Sequence, residues 1–203
     1  PSTAYFGGSF QPGINTPGVY AYHVAGIPPC ASATSTVTAT VAQPPSAGLS
    51  RSINICSSAG LFAMTDSLGG TPDLNGTWYR LPSGPASNGI FSPTAPGTFS
   101  YRYTVQPAGG SPCASAQAIL TINVTAAPNA GGDGNLALCS TSGITALFPK
   151  LTGTPQGGGT WSYNGAGHGS SFNPAIDIPG IYAYSVQGTG GCKNDTAVVT
   201  VVL

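Results

Sequence analysis

The sequence predicts an all-β fold assembled from one repeated unit of about 80 residues, the size of a small domain, and three observations predict it. Charge is nearly absent. Gly and Pro punctuate short runs of alternating apolar residues. One ordered series of motifs recurs along the chain.

Charged residues make up 5% of the 203 positions: five bases, five acids and no Glu at all. Ordinary soluble domains carry roughly a quarter. A chain this neutral lacks the basic stripe that a nucleic-acid binder needs, and the polybasic cluster that holds a module on an anionic membrane. No apolar run is long enough to insert into a bilayer. Pro1 opens mid-pattern with no signal peptide, so any targeting segment is expected outside these residues. The 30 Gly and 19 Pro lie between β-branched and aromatic runs that can bury a core, so they read as turns rather than as disorder.

The repeat is visible in three anchors. Phe-x-Pro occurs at Phe10, Phe91 and Phe172, evenly spaced along the chain. Pro-Gly followed by alternating aromatics occurs at Pro17-Gly18-Val19-Tyr20-Ala21-Tyr22, Pro96-Gly97-Thr98-Phe99-Ser100-Tyr101 and Pro179-Gly180-Ile181-Tyr182-Ala183-Tyr184. A cysteine then precedes a strand at Cys30, Cys113 and Cys192. After each of them the same period-two apolar register returns: Val37, Ala39, Val41; Leu120, Ile122, Val124; Val199, Val201, Leu203. The front of the unit occurs twice. The interval from Cys56 to Cys139 equals that from Gly76-Thr77-Trp78 to Gly159-Thr160-Trp161. Residues 44–126 and 127–203 therefore read as complete units, and 1–43 as the back half of another. The linkers at Pro44-Pro45 and Pro128 are semi-rigid, because Pro favours extended geometry.

In residues 44–126 the expected elements are a strand at Ser52–Cys56, a strand or helical turns at Leu61–Leu68, and a strand at Gly76–Arg80 carrying Trp78. An extended piece at Asn88–Pro93 and strands at Gly97–Val105 and Ala116–Val124 follow. About seven short strands in a unit of this size match an immunoglobulin-like β-sandwich. Trp78 and Trp161, mid-strand at matched positions, read as core residues, with sugar-stacking platforms as the alternative.

A sandwich this small gains from a cross-link. Cys56 with Cys113, and Cys139 with Cys192, would each close a loop spanning most of one unit. Each bridge would contribute up to about 4 kcal/mol by the chain-entropy argument. Matched pairs imply an oxidising compartment. Cys30 is left unpaired, or paired outside this segment. The half-unit at 1–43 is expected to be a slice of a longer array, or to be completed by strands of a neighbouring chain, or to be a poorly ordered start.

No catalytic, cofactor or metal site is expected. A site built into the unit would recur in each copy. Yet His23 aligns with Arg102 and Ser185, and His168 with Ser87 and Phe6, so neither His persists. No carboxylate pair, nucleophile elbow, phosphate loop or zinc spacing is present. Asp133 with Asn135 falls short of a calcium site, which needs several oxygen ligands.

The ordered series Cys, Thr-Pro, Gly-Thr-Trp, Phe-x-Pro, Pro-Gly-x-Tyr-x-Tyr, Cys and a Thr/Val strand resembles the immunoglobulin/PKD-like tandem repeats of large Bacteroidota cell-surface adhesins. These include gliding-motility adhesins exported by the type IX pathway. The resemblance covers essentially the whole chain. It implies an extracellular spacer or adhesive segment of a long surface protein or filament, without enzymatic activity. Its partners would be neighbouring repeats of the same or an identical chain, with surface glycans or the substratum as further candidates. It also implies O-glycosylation of Asp-Ser/Thr-apolar triplets, which places candidate sites at Ser67 and Thr196. The N-glycosylation pattern occurs at Asn75, Asn123 and Asn194. Two other readings stand beside the spacer. One is a self-polymerising filament subunit completed by strand exchange. The other is a carbohydrate-binding array of a secreted enzyme.

Overall fold

The computed structural model describes residues 7–203. Apart from two 3-10 turns, every element is a β-strand, and no α-helix occurs among the described residues. Strand β1 (Gly18–Val24) pairs antiparallel with β2 (Ala33–Ala39) as a hairpin. Next come β3 (Arg51–Cys56), β4 (Phe62–Ala63), a 3-10 turn at Met64–Ser67, β5 (Thr77–Arg80), β6 (Ala86–Ser87), β7 (Ile90–Phe91), β8 (Gly97–Val105) and β9 (Ala116–Thr125). The series then returns as β10 (Gly134–Ala137), β11 (Thr145–Ala146), a turn at Phe148–Lys150, β12 (Thr160–Tyr163), β13 (Ala166–His168), β14 (Ser171–Phe172), β15 (Gly180–Val186) and β16 (Asp195–Val202).

Both series make the same sheets. A five-stranded sheet runs β3-β9-β8-β5-β6 in the first and β10-β16-β15-β12-β13 in the second. A two-stranded sheet accompanies each: β4 with β7, and β11 with β14. The arrangement is sandwich-like. In both large sheets the first strand lies parallel to the last, β3 with β9 and β10 with β16. The chain clusters into two compact units. One holds Pro1–Pro45 with Val105–Ala116, and the other holds Ser46–Thr104 with Gln117–Leu203. Both sandwiches lie in the second unit, apart from Val105–Ala116, which is the last residue of β8, the loop and the first residue of β9.

Period two sets which side chains go inward. Along β9, Ala118, Leu120, Ile122 and Val124 are buried, and along β16 so are Ala197, Val199 and Val201. Trp78 lies against Tyr103 with ring centroids 4.8 Å apart, and Trp161 against Tyr184 at 5.0 Å. Both Trp residues are buried, in agreement with the core reading. Phe91 and Phe172 are also buried, and each meets an aromatic of the following strand edge-on: Phe91–Tyr101 at 5.9 Å and Phe172–Tyr182 at 5.6 Å. Phe10 meets Tyr20 in the same way at 5.7 Å.

Those ring pairs correct one alignment. Trp78 is in register with Tyr103, and Trp161 with Tyr184. Tyr103 and Tyr184 are therefore equivalent, which places His23 with Thr104 and Ser185 rather than with Arg102. Strand β8 starts two residues earlier relative to its Trp partner than β15 does, and the Pro-Gly signal moves with it. A slip of two keeps every side chain on its face, so the alternating aromatics stay on one side of the strand. The segment Leu61–Leu68 resolves as a two-residue strand and a 3-10 turn. His168 is equivalent to Ser87, since both face the Trp of their sheet. Phe6 lies outside the described residues.

The structure supplies a reason for Gly-Thr-Trp that the sequence conceals. The Tyr103 hydroxyl donates to the Asp73 carbonyl at 2.6 Å and accepts from the Gly76 N–H at 2.8 Å. Tyr184 does the same with the Gln156 carbonyl at 2.7 Å and the Gly159 N–H at 2.8 Å. These bonds draw the backbone onto the ring. A Cβ at Gly159 would lie 2.6 Å from both the Ser185 carbonyl oxygen and Tyr184 Cζ. Gly159→Ala is therefore expected to destabilise the second sandwich by about 1–3 kcal/mol, the usual cost of overpacking. Gly157→Ala, with nothing within 4 Å of its new methyl, is expected to be silent. Urea unfolding followed by Trp fluorescence separates the two.

Candidate functional site

The most elaborated site is the joint between the two sandwiches. Cys56 ends β3 opposite Thr125, the last residue of β9, so it stands at the end of the first sandwich from which the chain leaves. Cys192 lies in the loop before β16. The two form a disulfide with Cα atoms 4.7 Å apart and a sequence separation of 136. Cys56 is buried, and the Ser58 hydroxyl donates to its Sγ at 3.1 Å.

The loop reaches the first sandwich because Gly lets the backbone come close. Gly190 and Gly191 have φ of 58° and 91°, in the left-handed region that favours Gly. A Cβ at Gly190 would collide with the Thr125 side chain, and one at Gly191 would lie 3.3 Å from the Asn54 carbonyl oxygen. Cys192 Sγ comes to lie 3.7 Å from the Thr125 carbonyl oxygen and 3.5 Å from that of Ala126. The linker is held from both sides. The Ala127 N–H donates to Ser57 Oγ at 2.9 Å, and the Ala130 N–H donates to Asp195 Oδ2 at 2.7 Å.

This overturns the expected pairing of Cys56 with Cys113 and of Cys139 with Cys192. Strand polarity is the reason. Cys139 follows β10, which lies parallel to β16, so it stands beside the end of β16. Cys192 precedes the start of β16. An eight-residue strand separates them, roughly 25 Å at the rise of an extended chain, whereas a disulfide needs Cα atoms within about 7 Å. The same polarity governs β3 and β9. Cys30, Cys113 and Cys139 carry free thiols, with Cys30 and Cys139 exposed. Equal spacing in the sequence does not reveal this, because a cysteine that meets the preceding unit and one that meets its own unit recur at the same period.

Four of the five acids accept hydrogen bonds from the backbone. Asp73 accepts from the Ser46 N–H at 2.8 Å, Asp133 from Val198 at 2.8 Å, Asp177 from Asn173 at 2.6 Å and Asp195 from Ala130 at 2.7 Å. No group of three or more potential metal ligands comes together among the described residues. His168 places Nε2 3.4 Å from Asp177 Oδ1 and sits edge-on to Tyr182. His23 bonds Thr34 Oγ1 at 3.0 Å on the exposed hairpin.

Burial pushes the Tyr182 phenol above its ordinary value of 10, and the nearby Asp177 and Tyr163 add to the shift. The hydroxyl donates to the Ile178 carbonyl at 2.7 Å. Because the folded value lies above the unfolded one, the stability Tyr182 contributes is complete below pH 10. It is lost as pH rises through the folded value. Urea midpoints are expected to fall above pH 10, and Tyr182→Phe is expected to make that fall shallower.

Of the glycosylation candidates, Ser67 is half-buried in a 3-10 turn and Thr196 is exposed near the start of β16. Asn75 and Asn194 are exposed. The Asn123 amide is engaged on both atoms, donating to Asn54 Oδ1 at 3.0 Å and accepting from Thr98 Oγ1 at 2.9 Å. No protein-family model matches the chain, and no curated protein matches it.

Proposed function

We propose that the chain is a spacer segment of tandem immunoglobulin-like repeats in a long extracellular surface protein or filament, and that it is not an enzyme. One observation carries the reading: the same sandwich-like sheet arrangement occurs twice in succession, and a disulfide fastens one to the next. A chain whose most elaborated contact is a covalent joint between successive units is suited to holding length and bearing load. The disulfide supports an oxidising compartment. The near absence of charge fits a surface kept wet by Ser and Thr hydroxyls. The repeat motifs support a likeness to Bacteroidota surface adhesins, with residues 44–126 and 127–203 as whole units and 1–43 as part of one.

The carbohydrate-binding reading is weakened, because Trp78 and Trp161 are buried and offer no face for a sugar. Strand exchange with a second chain and completion by more of the same chain would both cover the first hairpin. Tyr22 and Val37 are 72% and 65% exposed on the first hairpin, while their equivalents Tyr184 and Val199 are buried in a core. The test is immunolabelling of intact, unpermeabilised source cells with antibodies against residues 44–203. Surface label is expected, and label confined to permeabilised cells overturns the reading.

A further inference from the structure

We propose that Cys113 is a second rung of the same ladder: it forms a disulfide with a cysteine that ends a first strand laid parallel alongside β2, as Cys56 ends β3 alongside β9. The inference goes beyond the spacer reading. It rests on the repeat and is independent of adhesion.

Three placements carry it. Cys113 Sγ lies 3.7 Å from the Ala42 carbonyl oxygen, the distance that separates Cys192 Sγ from the Thr125 carbonyl. The interval from Ala42 to Thr125 equals that from Cys56 to Cys139, so Ala42 and Thr125 are equivalent positions one repeat apart. The sulfur of Cys113 thus occupies the place from which Cys192 reaches its partner. Cys56 is the residue paired with Thr125, so the partner proposed for Cys113 belongs opposite Ala42.

The strand that would carry that partner has a place to go. β9 and β16 each hold a first strand in parallel, whereas β2 pairs only with β1 among the described residues, and β2 is exposed along almost its whole length. An open edge of this kind offers unpaired N–H and C=O groups to an incoming strand. The incoming strand is a copy of the unit's own first strand, of the type Arg51–Cys56. Closing the bond oxidises two thiols to one disulfide. Two electrons and two protons pass to oxidised glutathione, which leaves as two reduced molecules.

The test uses the whole chain and a synthetic peptide covering residues 48–58, incubated in a glutathione redox buffer and analysed by non-reducing peptide mapping. Non-specific thiol chemistry would favour the exposed Cys30 and Cys139 over the half-buried Cys113. The expected result is a mixed disulfide at Cys113, formed about tenfold or more in excess of that with a scrambled peptide retaining its Cys, because strand pairing raises the effective thiol concentration. The bond is expected to vanish in Cys113→Ser, while Cys56–Cys192 stays closed. Equal labelling by native and scrambled peptides, or preference for Cys30 or Cys139, overturns the proposal and leaves the spacer reading untouched.

Discussion

Pulled to full extension from its two ends, the oxidised chain is expected to stop about 45 nm short of the reduced chain, at roughly 3.3–3.6 Å for each residue held out of the load path. The Cys56–Cys192 bond, with its sequence separation of 136, is what shields them. The shielded stretch includes most of both sandwiches, so tension passes from Cys56 to Cys192 without unfolding what lies between. Single-molecule stretching with and without reductant reads the difference directly. Cys56→Ser is expected to give the reduced length under either condition. A triple variant, Cys30→Ser, Cys113→Ser and Cys139→Ser, is expected to keep the short oxidised length. Identical contour lengths with and without reductant would show that the joint is not covalent. In thermodynamic terms a loop of this size is worth at most about 5 kcal/mol by the chain-entropy argument. That is enough to couple the melting of the two sandwiches, so their transitions are expected to separate on reduction.

Phe172→Ala is expected to cost the second sandwich about 3–5 kcal/mol. Phe172 is fully buried, closes the small sheet against β11 and meets Tyr182 edge-on at 5.6 Å. Domains of this kind have only about 5–15 kcal/mol in total, so one ring is a large fraction. Phe91→Ala should act alike in the first sandwich, where Phe91 meets both Phe99 and Tyr101. Ile176→Ala, at a side chain 77% exposed, should shift the urea midpoint hardly at all. A loss under about 1 kcal/mol for Phe172→Ala, far below the usual cost of deleting a core ring, would mean that the Phe-x-Pro anchor is a turn signal and not a core residue.

Much of the fold is legible in the residues. Strand Gly97–Val105 forms over its expected range, because alternating aromatics admit only a period-two element with one buried face. Gly76-Thr77-Trp78 and Gly159-Thr160-Trp161 mark strands β5 and β12, whose Trp enters the core. The Leu61–Leu68 stretch is ambiguous in sequence because a short apolar run satisfies either period, and the chain uses it as a strand followed by a 3-10 turn. The two-residue slip of β8 is invisible there, since Pro-Gly marks where a strand begins and not which residue faces Trp78.

The candidate site is less legible. Five cysteines at regular spacing announce cross-links, but a repeat supplies equivalent residues in its neighbour as readily as in itself. Local chemistry, the alternation of apolar and hydroxyl residues and the turn residues, determined by itself that the described residues are strand and turn with almost no helix and build one arrangement twice. Which cysteine meets which was decided only in three dimensions. The first strand runs parallel to the last, so Cys139 stands at the far end of its sheet from the loop carrying Cys192, and Cys56, at the matching end of the sheet before it, lies within reach of that loop.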